Sequence, residues 1–404
     1  MRPPSATRTM EFITAIKNKN ARARLIAGLA LGLAAVFGVT ACGSNVSSPA
    51  ATEDSTNAGS GTVTTRSVDE LAATGLETAP PTEGPSPASG KKVWWVSCGP
   101  IAADCALPMG AAQEAADAMG IDFNTADGKL NEGGGFISAL QTAIAARPDA
   151  IIVHALDCNL LKAPLREAKE LGIAVLGVET TPCTGDQLFE DMIYAPEIQD
   201  TNAYFESWGI QAAEYLIAQS DGKAKVIVNE GTDSVFPPVQ KGFMDTLTGC
   251  SGCEVVDTVT FTMADQVPNG PWIQRLRATL VQNPDATAVF IPSDNMSVTL
   301  GGARAAQEAN PDMVVINGGS GTSSGITGVR NGDVTAIGAA HDAGWIGYAA
   351  IDSVNRLLAG EELVPEGIGV IAVDAENNLP EASDVPYESK VDWKSAYEKL
   401  WGVN

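Results

Sequence analysis

The chain has 404 residues, of which 45% are hydrophobic and 18% are charged, and its formal net charge is −24 at pH 7. Because this length exceeds what one hydrophobic core usually serves, we expect two domains plus tails. The acidic excess repels phosphate backbones and argues against nucleic acid as a partner. It is compatible with a cationic ligand, and equally with an ordinary solvated acidic surface.

The first 41 residues have the pattern of an export signal. Arg22 and Arg24 precede an apolar run, 25–39, that is too short to span a membrane but has the length of a signal-peptide core. The run ends in Val-Thr-Ala-Cys-Gly, which resembles a bacterial lipoprotein signal, where the cysteine is lipid-modified and becomes the first residue. We therefore expect cleavage after residue 41 and a lipid anchor on Cys42, with an ordinary secretory signal and a chance cysteine as the alternative.

Residues 42–90 are dominated by Ser, Thr, Ala, Gly and Pro and contain few large apolar residues. Such a segment buries too little apolar surface to offset the entropy of ordering it. This composition predicts a disordered tether that spaces a folded body from the membrane.

From residue 91 onward, short runs rich in Val and Ile alternate with amphipathic segments. Strands that alternate with helices of about 10 to 15 residues are typical of parallel sheets with right-handed crossovers. The predicted strands lie at 93–98, 121–125, within 148–154, within 173–179, and at 191–194, 225–229, 254–262, 287–292, 313–317 and 334–339. The predicted helices lie at 107–119, 136–146, in the segment that ends at Gly172, and at 200–219, 239–248, 271–282, 296–309, 343–359 and 392–401. This pattern predicts an α/β fold with two doubly wound parallel-sheet lobes.

The stretch from Pro148 to Cys183 is predicted to form one β-α-β unit. Its two strands end in polar residues, His154 and Glu179, and open α/β sheets bind ligands beyond the carboxyl ends of their strands. A cysteine follows each of these residues after four positions. Because neighbouring parallel strands lie about 4.8 Å apart, Cys158 and Cys183 are within reach of a disulfide.

Six cysteines remain after the one in the lipoprotein signal, an even number in an exported and oxidising setting. Sequence proximity and the strand argument favour one of fifteen pairings, namely Cys98 with Cys105, Cys158 with Cys183, and Cys250 with Cys253. The Cys-Ser-Gly-Cys segment also fits a redox or half-zinc motif. No second pair has metal spacing and the chain contains two histidines, so we expect structural disulfides and no metal site.

Several segments together resemble the type I periplasmic binding proteins, the ribose and galactose class of solute-binding subunits of ABC importers. The segments that carry this resemblance are 111–120, 147–153, 172–176, 290–301 and 330–336. The resemblance implies two lobes joined by three crossovers, with the ligand held in the cleft. It places 91–195 and about 342–365 in the N-terminal lobe, and 196–341 and about 366–404 in the C-terminal lobe and tail.

The family takes ligand contacts from the ends of particular strands, and the resemblance together with the aromatic pattern yields a set of candidate ligand-binding residues. These are Trp95, His154, Glu179, Phe236, Ser293, Asp294 and His341. Two sugar-binding features of the family are missing. The position of the family's arginine is occupied by Phe-Pro-Pro at 236–238, and the family's Gly-Phe-Asp segment is replaced by Ile-Asn-Gly at 316–318. The ligand is therefore expected to be a small polar molecule, with a sugar or sugar-like compound favoured.

The predicted function is that of a monomeric, lipid-anchored solute-binding subunit that delivers its ligand to an ABC transporter permease at the outer face of the cytoplasmic membrane. No cofactor and no enzymatic activity are expected. A receptor of the same fold that serves a sensor or chemotaxis protein is the main alternative. A hydrolase using Ser323, with Asp333 and His341, is a weaker one, because the preceding strand ends too early for a nucleophile elbow.

Overall fold

A computed structural model describes residues 66–73, 75–233 and 235–403. The predicted signal peptide, Cys42 and the first part of the predicted tether lie outside these residues. Among the helices of the described ranges, none is long and apolar enough to cross a membrane.

The first half of the described chain alternates strands and helices as its apolar pattern predicts. In chain order the elements are α1 (Val68–Ala73), β1 (Lys92–Ser97), α2 (Ala103–Met119), β2 (Asp122–Asp127), α3 (Gly135–Ala145), β3 (Ala150–His154), α4 (Cys158–Glu170), β4 (Ala174–Val178) and β5 (Glu190–Asp191). The strands form a wholly parallel sheet in the order β2-β1-β3-β4-β5.

All five residues of β3 are buried because helices cover both faces of this sheet. Ile152 faces a core shared with α2 and the helix at 343–359, while Ile151 and Val153 face α3 and α4. The continuous apolar run at 150–153 therefore follows from burial on two sides.

The second half repeats this alternation around a second sheet. Its elements are α5 (Thr201–Gln219), β6 (Lys225–Gly231), α6 (Phe236–Thr248), β7 (Glu254–Phe261), α7 (Pro271–Gln282), β8 (Ala288–Ile291), α8 (Gly302–Ala309), β9 (Val314–Asn317), α9 (Ser323–Asn331), β10 (Ala336–Ala340), α10 (Ala343–Ala359), β11 (Ile371–Asp374) and α11 (Trp393–Trp401). The sheet order is β11-β10-β9-β8-β6-β7, and only β11 runs antiparallel to its neighbour.

Three crossovers connect the two lobes. The chain passes from β5 to α5, returns from β10 to α10, which packs on α2, β3 and β4 of the first lobe, and crosses again from α10 to β11. The first and third crossovers are hydrogen-bonded side by side, since the Glu366 N–H donates to the Ile193 carbonyl at 3.0 Å and the Ile368 N–H to the Tyr194 carbonyl at 2.7 Å. The prediction of two doubly wound lobes joined by a three-crossover hinge is confirmed.

The six described cysteines are paired as predicted. The pairs and their Cα–Cα distances are Cys98–Cys105 at 5.7 Å, Cys158–Cys183 at 4.9 Å and Cys250–Cys253 at 5.4 Å. The second pair joins the loops that follow β3 and β4, as the strand argument requires.

The prediction of a disordered tether is wrong for its last part, 66–73 and 75–90, which we call the N-terminal strap. Helix α1 packs on α5 and β11 of the second lobe. Further along, the Thr78 N–H donates to the Gly367 carbonyl at 2.8 Å, and the Ala88 N–H donates to Asn355 Oδ1 of α10 at 2.8 Å. The strap is thus held by hydrogen bonds from its backbone and by burial of Leu71 in the core, and its composition does not report these long-range contacts.

The C-terminal helix α11 packs on α10, a helix of the first lobe, whereas the domain division assigned the tail to the second lobe. Trp401 Nε1 donates to the buried Asp352 Oδ1 at 2.7 Å, and the Tyr397 hydroxyl donates to Glu366 Oε2 at 2.7 Å. The indole and phenol groups of this helix therefore find their partners on α10 and on the crossover that follows it.

Candidate functional site

A cleft between the two lobes contains about 860 Å³ of space free of protein atoms, including the part that is open to solvent. It lies beyond the carboxyl ends of strands from both sheets, where open parallel sheets bind ligands. The residues that line it are Cys98, Ala102, Asp104, Cys105, Leu130, Ala155, Glu179, Phe205, Trp208, Val235, Phe236, Val239, Met263, Gln266, Pro292, Ser293, Asn295, Ser320 and His341.

Four of the seven candidate ligand-binding residues line this cleft, and three lie behind it. Glu179 follows β4, Phe236 begins α6, Ser293 follows β8 and His341 follows β10. The three that do not line the cleft are Trp95, His154 and Asp294.

Glu179 is fixed by its backbone as well as by its carboxylate. Its φ of +50° is left-handed, and its N–H donates to the Tyr194 hydroxyl at 2.6 Å. Glu179 Oε2 lies 2.8 Å from His154 Nε2, and Glu179 Oε1 lies 3.8 Å from His341 Nε2. Since a carboxylate only accepts hydrogen bonds, we assign the donor in this contact to His154 Nε2. The residue is only 5% exposed, so the geometry of this carboxylate is set before a ligand arrives.

His154 and Trp95 form the support behind Glu179. Both side chains are 0% exposed, and their ring centroids are 4.9 Å apart. His154 therefore orients Glu179 from the protein side, while Trp95 packs in the core of the first lobe.

His341 occupies the crossover between β10 and α10, where its N–H donates to the Ser320 carbonyl at 3.0 Å. Burial lowers the pKa of its imidazole, and the nearby Glu179 carboxylate opposes that shift. The His341 ring lies 4.9 Å from the Trp208 ring, which is in turn 5.0 Å from the Phe205 ring in an edge-on arrangement. These three rings form a continuous wall on the second-lobe side of the cleft.

Asp294 organises the loop that precedes α9. Its carboxylate accepts from the backbone N–H groups of Gly321 at 3.0 Å and Thr322 at 2.6 Å, from the Thr322 hydroxyl at 2.7 Å, and from Asn317 Nδ2. Burial raises the pKa of Asp294 to about 6, and the hydrogen bonds from Thr322 and Asn317 counteract this. The segment 321–325, which contains Ser323, therefore forms a capped helix start beside Asp294, and Ser323 does not line the cleft.

The sequence argument missed Asp104, which lies in the first turn of α2. The predicted helix began at residue 107, but α2 begins at Ala103, inside the loop closed by Cys98 and Cys105. Asp104 is partly exposed as a residue, yet its Oδ1 is enclosed and has no hydrogen-bond partner among the described residues. A carboxylate in a short disulfide loop after the first strand was the available signal.

The environment of Asp104 disfavours its charge. Burial raises its pKa to about 7, and the negative charges of Asp294 and Glu179 add to this effect, while the Ser320 hydroxyl opposes it. Three carboxylates from different elements of the fold thus influence one region of the cleft.

Trp208, Gln266 and Ser320 were also missed. Trp208 lies in the longest predicted helix, but helical periodicity does not identify which residue of a buried helix faces a cleft. Gln266 and Ser320 lie in loops that lack a local motif. Two further aromatic residues near predicted strand ends, Phe136 and Trp345, are 2% and 0% exposed and pack in hydrophobic cores.

The cleft contains no lysine or arginine among its described lining residues. In the same part of the chain, no group of three or more His, Cys, Asp or Glu side chains is placed to hold a metal ion. Polar contacts to a bound molecule would therefore come from carboxylates, hydroxyls, two amides, an indole N–H and an imidazole.

Comparison with protein families yields one match over most of the chain. A family model described as a periplasmic binding protein domain matches residues 106–362. Among curated proteins, a relative named putative rhizopine-binding protein from Rhizobium meliloti is 27% identical over 250 residues, which are 60% of this chain and 76% of that protein.

Solved structures share the fold at lower identity. An ABC transporter solute-binding protein from Agrobacterium vitis, bound with α-D-tagatopyranose, is 22% identical with a TM-score of 0.60, and the match covers 74% of this chain and all of that one. A structure titled XylFII-LytSN complex is 18% identical with a TM-score of 0.57 and coverages of 71% and 98%.

Proposed function

Because the chain belongs to the type I periplasmic binding protein family, we propose that it is the solute-binding subunit of an ABC importer and captures a small polar, sugar-like molecule in its interlobe cleft. The single observation that carries this proposal is the cleft itself. Strand ends from both lobes surround it, and polar groups and aromatic rings line it together.

Ligand capture is proposed to work through lobe closure. A ligand shifts the population toward the closed state only if it binds that state better than the open one, so it must contact both lobes. Glu179 and Asp104 supply first-lobe contacts, and Phe236, Ser293 and His341 supply second-lobe and hinge contacts. The aromatic wall provides an apolar surface for the ring of a sugar-like ligand.

Binding of this kind requires no catalytic group. The relatives reported above are described as binding proteins, and Ser323 lies outside the cleft lining. We therefore propose that the protein releases its ligand chemically unchanged.

The anchor and the transport partner are further parts of the proposal. An extracytoplasmic location follows from the family. We propose that Cys42 carries a lipid at the outer face of the cytoplasmic membrane and that the body acts there as a monomer beside a permease. Replacing Cys42 with Ser should move the protein from the membrane fraction to the soluble exported fraction. Retention in the membrane fraction would contradict the anchor.

Mass spectrometry of the molecule that co-purifies with the native protein tests the binding function. We expect an intact small polar compound, and incubation with fresh protein should leave its mass unchanged. Release of a converted product would contradict the binding role and support an enzyme.

The role of Glu179 is tested by Glu179→Gln, which keeps the side-chain shape but removes the charge. We expect ligand affinity to fall roughly 10- to 100-fold, because hydrogen bonds to charged groups contribute about 1.5–3 kcal/mol. Glu190→Gln, at an exposed position of β5, serves as the matched control. Equal affinities for the two variants in calorimetry would remove Glu179 from the ligand site.

A receptor that serves a sensor protein is the second candidate. It is favoured by the XylFII-LytSN structure, in which a protein of this fold is in complex with another protein. Cross-linking in native membranes followed by mass spectrometry separates the two candidates, since a permease partner supports import and a sensor partner supports signalling.

A further inference from the structure

The acidic groups around the cleft come from three separate elements of the fold. Asp104 lies in the first turn of α2, Glu179 follows β4, and Asp294 follows β8. Asp104 and Glu179 line the cleft directly, and the charges of Glu179 and Asp294 both act on Asp104. No lysine or arginine among the described lining residues balances them.

The three carboxylates differ in how they are satisfied within the protein. Asp294 accepts hydrogen bonds from the loop before α9, and Glu179 Oε2 accepts one from His154. Asp104 Oδ1 is enclosed and has no partner among the described residues. Since an unpaired buried acceptor is costly, this oxygen is the atom in the cleft that most needs a donor.

Two other lining side chains carry unused polar atoms. Trp208 and His341 are 6% and 4% exposed, and Trp208 Nε1 and His341 Nδ1 have no hydrogen-bond partner among the described residues. Trp208 lies on the second-lobe side of the cleft, and His341 lies on the hinge with its Nε2 3.8 Å from Glu179 Oε1. Unsatisfied polar atoms on both sides indicate that the site is completed by a polar ligand that bridges the lobes.

We propose that the ligand is a small polyhydroxylated molecule that bears a protonated amine, and that Asp104 and Glu179 hold its ammonium group. This inference rests on the proposed solute-binding function and specifies its ligand class. An ammonium group has three donors and no acceptor, which matches carboxylates that can only accept. The hydroxyl groups of the ligand then face Ser293, Ser320 and the aromatic wall.

Electrostatics separates this ligand class from its alternatives. A carboxylate or phosphate ligand would add negative charge beside Asp104, Glu179 and Asp294, with no lysine or arginine among the described lining residues to offset it. A neutral sugar would leave the repulsion among these carboxylates in place. A cationic ligand both donates to Asp104 Oδ1 and lowers the repulsion among these carboxylates.

Matched sets of small molecules provide the test. The amine set is D-glucosamine, D-galactosamine, D-mannosamine and glucamine; the neutral set is glucose, galactose, mannose and sorbitol; and the acid set is gluconate and galacturonate. Each compound is added to the folded protein, and the melting temperature and the calorimetric affinity are measured. We expect stabilisation by a member of the amine set, with an affinity roughly 10- to 100-fold above that of its neutral counterpart.

Asp104→Asn is the diagnostic variant, and Asp117→Asn, on the exposed face of the same helix, is its control. We expect Asp104→Asn to reduce amine affinity to that of the neutral counterpart, and Asp117→Asn to leave it unchanged. An unchanged circular dichroism spectrum for both variants verifies folding.

Each other outcome is informative. Binding of neutral or acidic compounds at or above the level of the amines overturns the amine inference and leaves the solute-binding proposal standing. Equal amine affinity for parent and Asp104→Asn removes Asp104 as the anchor and also overturns it. If no compound in the three sets raises the melting temperature, the solute-binding proposal itself is contradicted.

Discussion

Replacement of Cys158 and Cys183 by serine should lower the free energy of unfolding by about 3.5 kcal/mol, because their disulfide constrains a 25-residue separation in the unfolded chain. The two sulfurs are buried beside the loops that carry Ala155 and Glu179 into the cleft. The loss should therefore appear in stability and also in weaker ligand binding.

The other two disulfides provide internal controls of the same chemistry. The same relation gives about 2.4 kcal/mol for Cys98–Cys105, with a separation of 7, and about 1.6 kcal/mol for Cys250–Cys253, with a separation of 3. This order of stability losses is measured by urea unfolding of the three double variants, monitored by circular dichroism. The parent protein with its disulfides reduced is unfolded in the same way for comparison. Equal losses for the longest and shortest loops would refute the loop-entropy reasoning, since geometry would then dominate over chain constraint.

Three further changes test other parts of the fold. Tyr194→Phe leaves the buried N–H of Glu179 without its acceptor, so we expect a loss of about 1–3 kcal/mol in chemical denaturation together with weaker ligand binding. Asp104 has a folded pKa of about 7, above its unfolded value, so its contribution to stability is present below about pH 4 and is lost as the pH rises through 7. Between pH 4 and 8 the melting temperature of unliganded Asp104→Asn should fall less steeply than that of the exposed control, Asp117→Asn. Parallel curves of melting temperature against pH would contradict this. Trp401→Phe removes the donor to buried Asp352 and should cost about 1.5–3 kcal/mol, whereas an unchanged urea midpoint would show that α11 adds little stability.

The layered fold can be predicted from the sequence because the patterns that indicate its strands and helices are local. The apolar run at 150–153 is buried on both faces, and the run at 288–291 is completely buried in the second sheet. Helix ends also follow local chemistry, as at Gly120, whose φ of +71° suits glycine and ends α2 at the predicted residue. The period of the apolar residues and the residues that end each helix therefore define most elements without knowledge of what those elements pack against.

Features that depend on distant partners could not be read in this way. The N-terminal strap is ordered because Asn355, Arg356 and Gly367, nearly 300 residues away in sequence, supply its hydrogen bonds. Trp208 reaches the cleft only because α5 packs between α6 and the second sheet. Composition and periodicity describe each segment alone, so they cannot report contacts of this kind.

The strand-end rule identified the right edge of each sheet but could not separate residues that face a ligand from residues that support the site. His154 and Glu179 both follow the rule, yet His154 is wholly enclosed and positions the carboxylate that lines the cleft. Ser293 and Asp294 are adjacent, but only Ser293 lines the cleft. The Asp294 carboxylate instead accepts hydrogen bonds from backbone N–H groups of the loop before α9. In a parallel sheet, consecutive residues beyond a strand end point in different directions, so one polar position faces the ligand while its neighbour binds the protein. The division between the two is set by which loops return to the same edge, and that is decided by the tertiary fold.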